Sequence, residues 1–350
     1  MLTRRAFAWT LAGTALGAAA KETLGAATPA EPPRPRLDFH VHLFGCGDGG
    51  TGCFLSPAQR AHPNFRFFLR LLGLAANGRM DQDYVRELLR QLGGSALDQV
   101  VLLAQDGRYD ARGELDRERT QFYVPNDYLL RVCAAHQGRL LPGVSINPAR
   151  KDAIDELERC ADAGARVLKI HPPIQAVDPG EARFAAFYRR CAARKVAVLV
   201  HTGAEHAAAT VGTQHCSPAR LALALEQGCT AIAAHSGMAN FFDPEDFFAD
   251  LLTMVRRYPR FYCETAVLGT AARYRCLPRL LREPEICARL LHGSDWPFPS
   301  NALGHWWRLR PSRMLALASE RNLLERDFRL KLALGVPAAA FARGFALLAG

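Results

Sequence analysis

Leu37-Asp38-Phe39-His40-Val41-His42-Leu43 is an apolar run that closes on two histidines two positions apart. In an extended strand the side chains at i and i+2 point to the same face, so His40 and His42 project together. Two imidazoles aimed at one point form a natural metal pair. A bare His-x-His is common by chance; it gains weight here from the company it keeps along the chain. Four later apolar runs also end on a metal-competent side chain: Val167-Leu168-Lys169-Ile170-His171-Pro172, Leu199-Val200-His201-Thr202-Gly203, Ala233-Ala234-His235-Ser236-Gly237 and Gly293-Ser294-Asp295-Trp296-Pro297. One histidine at a strand end is usually a satisfied core or loop residue. Five runs ending this way are hard to credit to packing, because buried ionisable groups are costly unless paired or metal-bound.

The pattern around these runs sets the fold. Strand-like segments fall at Leu37–Leu43, Gln99–Ala104, Leu140–Ile146, Arg166–Ile170, Val196–His201, Thr230–His235, Phe261–Glu264 and Arg289–Gly293. Amphipathic helical stretches alternate with them at Gln82–Leu92, Asn126–His136, Lys151–Ala163, Glu181–Arg194, Ser217–Gln227, Pro244–Tyr258, Cys276–Arg282 and Arg313–Leu324. Strict alternation implies parallel strands, since each return crosses over through a helix. Eight such units close a barrel, and no GxGxxG follows the first strand to suggest a dinucleotide fold. The expected class is therefore α/β, a (β/α)8 TIM barrel with an insertion after strand 1 (residues 44–80) and extra C-terminal helices packed outside it. Asn126 reads as the N-cap of its helix, and Ser217-Pro218 as an N-cap followed by Pro at the first helical position.

The first thirty residues differ from the rest. Thr3-Arg4-Arg5-Ala6-Phe7, a weakly apolar run to Ala20 and a small-residue tail resemble a twin-arginine signal peptide, which predicts Tat export to the periplasm, with a cytoplasmic protein as the alternative. The run is too short for a stable membrane anchor. Residues 31–350 then form a single domain. A net charge of +10 is spread over helices without a run of five basic residues, which fits solvated faces and no nucleic-acid partner. Ten cysteines lack any CxxC spacing, which argues against a zinc ribbon or a thioredoxin-like motif; Cys46 and Cys53 are close enough in sequence to bridge a small loop in an oxidising compartment.

At these strand-end residues the chain resembles the amidohydrolase superfamily, in its amidohydrolase-2 branch of metal-dependent barrel hydrolases, over about residues 36–300. The resemblance implies that His40, His42, His201 and Asp295 hold a first divalent metal, zinc above all, although nitrogen and oxygen ligands also admit manganese, iron or cobalt. It implies that Asp295 takes the proton from the attacking water, and that His235 either polarises the substrate carbonyl or holds a second metal. A strand-four lysine in binuclear relatives is carboxylated and bridges two metals, so Lys169 is expected either to do this or, as an ammonium, to meet a substrate carboxylate. His171, two positions on, faces the same way. Glu264, which ends strand seven, is an expected substrate contact, and Trp296 an expected pocket wall. Glu205, His206 and His215 follow strand five and read first as surface loop.

The implied activity is metal-dependent hydrolysis of an amide, ester or lactone in a small-molecule substrate. A metal-dependent non-oxidative decarboxylase or hydratase of the same branch is the alternative, and a non-catalytic metal-binding barrel the second. Barrels of this type often associate, so a homo-oligomer is compatible with the sequence.

Overall fold

The computed structural model describes residues 31–206, 208, 215–243 and 246–349. The expected export segment, residues 1–30, lies outside them. Eight parallel strands follow one another around the molecule in chain order: β1 (Leu37–His42), β2 (Gln99–Leu103), β3 (Leu140–Ser145), β4 (Val167–Ile170), β5 (Ala197–His201), β6 (Ala231–Ala234), β7 (Phe261–Glu264) and β8 (Leu290–Leu291). The two ends of the sheet meet through the main chain. Phe39 N–H donates to His292 O (2.8 Å), Asp295 N–H to His40 O (2.9 Å) and His42 N–H to Trp296 O (3.0 Å). These bonds bring β1 against the continuation of β8 and make the sheet a TIM barrel, which leaves no open edge to be protected.

Alternation along the strands sorts side chains into two layers. Val100, Leu102, Leu168, Ile170, Val198 and Val200 face outward and pack under the surrounding helices. Leu103, Val167, Leu199, Ile232 and Leu291 fill the barrel's interior together with Leu37 and Phe39. Strict alternation in β1 would then turn His40 away from the interior. An extra residue corrects this: Asp38 pairs with Val100 but Val41 pairs with Leu102, so β1 carries a bulge between them. The bulge lets Leu37 and Phe39 face inward below while His40 and His42 face inward above, which is how one short strand supplies both core and site.

The floor of the barrel is closed by the C-terminal helix Arg343–Ala349, whose Phe345, Leu347 and Leu348 pack on the interior cluster. Gly344 sits so close to β1 that a Cβ there would lie 2.7 Å from Phe39 and 2.8 Å from Leu37. The sequence pattern puts the tail wholly outside the barrel, and its last helix instead plugs the end opposite the site.

Three other local expectations differ from the structure. Asn126 is the first helical residue, with Pro125 at the cap. Its side chain instead ties the helix to β3 by donating to Ser145 O (3.0 Å) and accepting from Ser145 N–H (2.9 Å). The stretch Arg313–Leu324 is parted at Glu320, so that one helix spans Pro311–Ser319 and a second, Leu323–Ala333, starts where Asn322 accepts the Leu324 and Glu325 N–H groups. Cys46 and Cys53 are separate buried thiols, with no bridge between them. The Ser217 cap is as expected, accepting from Ala219 N–H with Pro218 at the first position. Inserted residues 44–80 carry the helices Pro57–Ala61 and Pro63–Leu72, and Phe54–Leu55 pairs antiparallel with Phe122–Tyr123. Among the described residues, no helix is long and apolar enough to cross a membrane.

Candidate metal centre

The ends of β1, β4, β5, β6 and β8 converge at the C-terminal mouth of the barrel, where such folds build their sites. His40 Nε2 lies 3.2 Å from His42 Nε2, and Asp295 Oδ1 lies 3.3 Å from the first and 3.0 Å from the second. Lys169 Nζ approaches the same point, 3.3 Å from His40 Nε2. His40, His42 and Asp295 thus form one tight donor set. His201 stands one ring away from it, joined through His235, with His235 Nε2 and His201 Nδ1 at 3.1 Å. His171 stacks on His201 with ring centroids 4.2 Å apart.

The state of these groups suits a cation. Burial, reinforced by the Lys169 charge, pushes His40 well below the ordinary imidazole range despite Asp295. Burial likewise pushes His171, His201 and His235 down, so the rings are neutral, the form in which histidine binds metal. Burial alone would raise Asp295, but the neighbouring His40, His42 and Lys169 hold its carboxyl at about 2. Burial brings Lys169 down to about 8 against the pull of Asp295 and Glu264.

The hydrogen bonds leave two buried acceptors unmet. His235 Nδ1 faces Ala266 O at 3.3 Å and donates to it, so His235 Nε2 accepts from His201 Nδ1. That tautomer leaves the His201 Nε2 lone pair buried without a partner, and Asp295 Oδ1 likewise has no hydrogen bond. Buried acceptors of this kind are rarely left so, and a divalent metal satisfies both. The donor set therefore fits the group that the sequence pattern implies.

Backbone strain is concentrated at the same place. His235, Ser236 and Asp295 hold φ of 61°, 54° and 67°, a left-handed region that costs such residues roughly 1–3 kcal/mol each. Glu264 is the residue that fastens this region. Its Oε1 accepts the His235 N–H at 2.6 Å and faces His40 Nδ1 at 3.2 Å, while its main-chain carbonyl accepts from Ser236 Oγ at 2.8 Å. Glu264 is fully buried and outside the cavity lining, so the structure places it behind His40 rather than against substrate. Burial raises its carboxyl to about 7, opposed by the His235 and Ala266 N–H groups. A carboxylate on the far nitrogen of a metal-binding histidine fixes ring and tautomer, and its loss typically costs 10–100-fold in metal affinity. Glu264→Gln should weaken metal binding by about that factor, because an amide donor then faces backbone N–H groups. Competition with a chromophoric chelator measures this, and a change under about twofold would refute the role.

A cavity of about 500 Å³ opens above these residues. His42, His171, His201, His235 and Asp295 form its base, and Phe44, Phe65, Phe68, Phe122, Phe242 and Phe298 much of its wall. Glu205 lines it too, 2.7 Å from His171 Nε2, so a residue that reads as surface loop is half of a buried pair. His206 lines the rim beside Asp243, whereas His215 turns to Asp178. Trp296 is absent from the wall. It points outward from the barrel, its ring 4.9 Å from Tyr84 and its Nε1 donating to Gln91 Oε1 at 3.1 Å. The chain turns at Asp295, and Trp296 pairs with Val41 of β1 and lays its ring against the helix Met80–Gly93, which carries Tyr84 and Gln91. Asp38, unassigned by the sequence, fastens the seam by accepting N–H bonds from His40 (3.0 Å) and Ser294 (2.9 Å).

The amidohydrolase family model (Amidohydro_2) matches residues 37–325, which spans every strand described. The chain belongs to the amidohydrolase family. Among solved structures, this amidohydrolase is similar to an uncharacterised TIM-barrel protein from Bordetella bronchiseptica, at 16% identity over 90% of this chain and 99% of that one, with a TM-score of 0.59. It is also similar to a probable 2-pyrone-4,6-dicarboxylic acid hydrolase from Acinetobacter baumannii, at 14% identity over 91% and 100% of the two chains, with a TM-score of 0.52. At these identities the likeness is one of fold. A search of the curated proteins finds no match.

Proposed function

We propose that this amidohydrolase is a metal-dependent hydrolase that cleaves an amide, ester or lactone at the barrel mouth, with zinc as its resident ion. The observation that carries the reading is the convergence of His40, His42 and Asp295 beneath an apolar cavity, with His201 Nε2 and Asp295 Oδ1 unpartnered. A divalent ion held by His40, His42, His201 and Asp295 would supply Lewis acidity and a water acidic enough to ionise near neutral pH. The chain's own residues do the rest. Asp295 stays ionised and accepts the proton of the attacking water. His235, on the cavity wall beside His201, would polarise the substrate carbonyl once its Nε2 carries a proton. Glu264 keeps the His40 ring aimed, and the phenylalanine wall excludes bulk water from the reacting bond. Lys169 lies under His40 outside the cavity lining, which favours a part in holding metal over contact with substrate.

The test is metal content per chain by elemental mass spectrometry, with and without Lys169→Ala, joined to a product assay. At least one divalent ion per chain is expected. About two ions falling to one or none in the variant would support a carboxylated Lys169 bridge, and one ion indifferent to the variant a mononuclear site. No bound metal would overturn the reading. Release of carbon dioxide from an aromatic acid, without ester, amide or lactone cleavage, would replace hydrolysis by decarboxylation.

A further inference from the structure

The cavity wall carries one lysine or arginine among the described residues, Arg273. It stands in the short turn Ala271–Arg273 after β7 and is only 6% exposed. Its guanidinium donates to the main-chain carbonyls of Met238 and Ala204, the second at 3.4 Å. Both acceptors are neutral, and no carboxylate among the described residues pairs with it. A buried guanidinium ordinarily has an anionic partner, and two carbonyls occupy only part of its five-donor fork. Arg273 shares the cavity lining with His201 and His235. Around it the wall is apolar, with Phe44, Phe65, Phe68, Phe122 and Phe298 contributing rings.

We propose that Arg273 receives the one anionic group, a carboxylate, of a substrate whose body is apolar or aromatic, so that the cavity selects apolar monoanions. As the one lysine or arginine of the lining, Arg273 answers one negative charge, and a second carboxylate would meet neutral donors such as Gln59, Asn64 and Asn240 rather than a second basic side chain. The planar fork of arginine matches a carboxylate in two parallel hydrogen bonds. The choice of substrate class rests on the hydrolase reading of the same site, but the anion contact itself requires no metal.

The competing explanation is that Arg273 only clamps the loops after β5 and β6, which its two carbonyl contacts would also serve. Calorimetric binding of 2-naphthoate, neutral 2-naphthamide and naphthalene-2,6-dicarboxylate separates the two. It is measured on the protein as purified and again after metal removal, with the native residue, Arg273→Lys and Arg273→Gln. The native protein should prefer 2-naphthoate to either other ligand by about tenfold or more, a charged hydrogen bond's worth. Arg273→Gln should erase that preference and leave 2-naphthamide within about twofold, while Arg273→Lys keeps most of it, and both results should persist without metal. Equal binding of acid and amide, equal weakening of both by Arg273→Gln, a dicarboxylate that binds as well as the monoacid, or no binding by any of the three overturns the proposal. Naphthoate binding that vanishes with the metal and ignores Arg273→Gln also overturns it, while leaving the hydrolase reading intact. Binding that depends on Arg273 in a protein that never carries metal would sink the hydrolase reading alone.

Discussion

Asp295→Asn should abolish nearly all turnover while leaving the fold in place. The carboxylate sits 3.0 Å from His42 Nε2 and 3.3 Å from His40 Nε2, and it is the only anion in that tight set. An amide of the same shape keeps the packing but can neither neutralise a divalent cation nor accept a proton from water. Loss of a general base alone costs about 10²–10⁴-fold, and weaker metal retention adds to it. Stability should fall only moderately: the change removes the carboxylate that offsets the buried Lys169 charge, but the backbone is spared for a reason specific to this position. Asp295 has φ of 67°, and asparagine tolerates the left-handed region as well as aspartate does. The bonds that hold the turn, Asp295 N–H to His40 O and Phe298 N–H to Asp295 O, are main chain and survive the change. Kinetics with whatever substrate the native protein cleaves, paired with thermal unfolding, reads both parts. Unchanged turnover and metal content would favour a non-catalytic metal-binding barrel.

The strands and their chemically active ends are legible in the sequence because each leaves a local mark: a short apolar run, then His, Lys or Asp. The bulge in β1 leaves none, since one additional residue among Asp38, Phe39, His40 and Val41 changes register without changing composition. Glu264 reads as an inward strand end, which it is, but its partner His40 is 224 positions away, and only the closed barrel shows that it stands behind a ligand. Trp296 reads as a pocket wall for a related reason: its neighbour Asp295 marks the pocket, but the backbone turn at Asp295 sends the indole the other way. Arg273 carries no local signal at all. It matters because three loops far apart in sequence enclose it, and the sequence shows none of their contacts. The break at Glu320 is hidden by Leu323-Leu324, which continue the apolar pattern across a fresh N-cap at Asn322.

Lys331→Met should cost about 3–5 kcal/mol, the penalty for stranding one charge of a buried pair. Lys331 is fully buried, its Nζ 2.7 Å from Asp327 Oδ2 and donating to Gly293 O at 2.5 Å. Asp327 also accepts from Ser300 Oγ, and its burial raises its carboxyl even with Lys331 beside it. Methionine fills much of the same volume, so the loss is electrostatic rather than a cavity. Removing both charges should therefore be milder: Asp327→Asn with Lys331→Met should be more stable than Lys331→Met alone, since no ion is then left unpaired. The effect should also reach the metal centre. Gly293 precedes Asp295 by two residues, and the lysine shares its carbonyl with Thr265 Oγ1, so the aspartate loses part of its backing when the lysine goes. Urea unfolding of the single and double variants, with metal content measured alongside, tests both steps. A single variant within about 1 kcal/mol of the native protein would show that the pair is not buried as tightly as its contacts imply, because an exposed pair contributes no more than that.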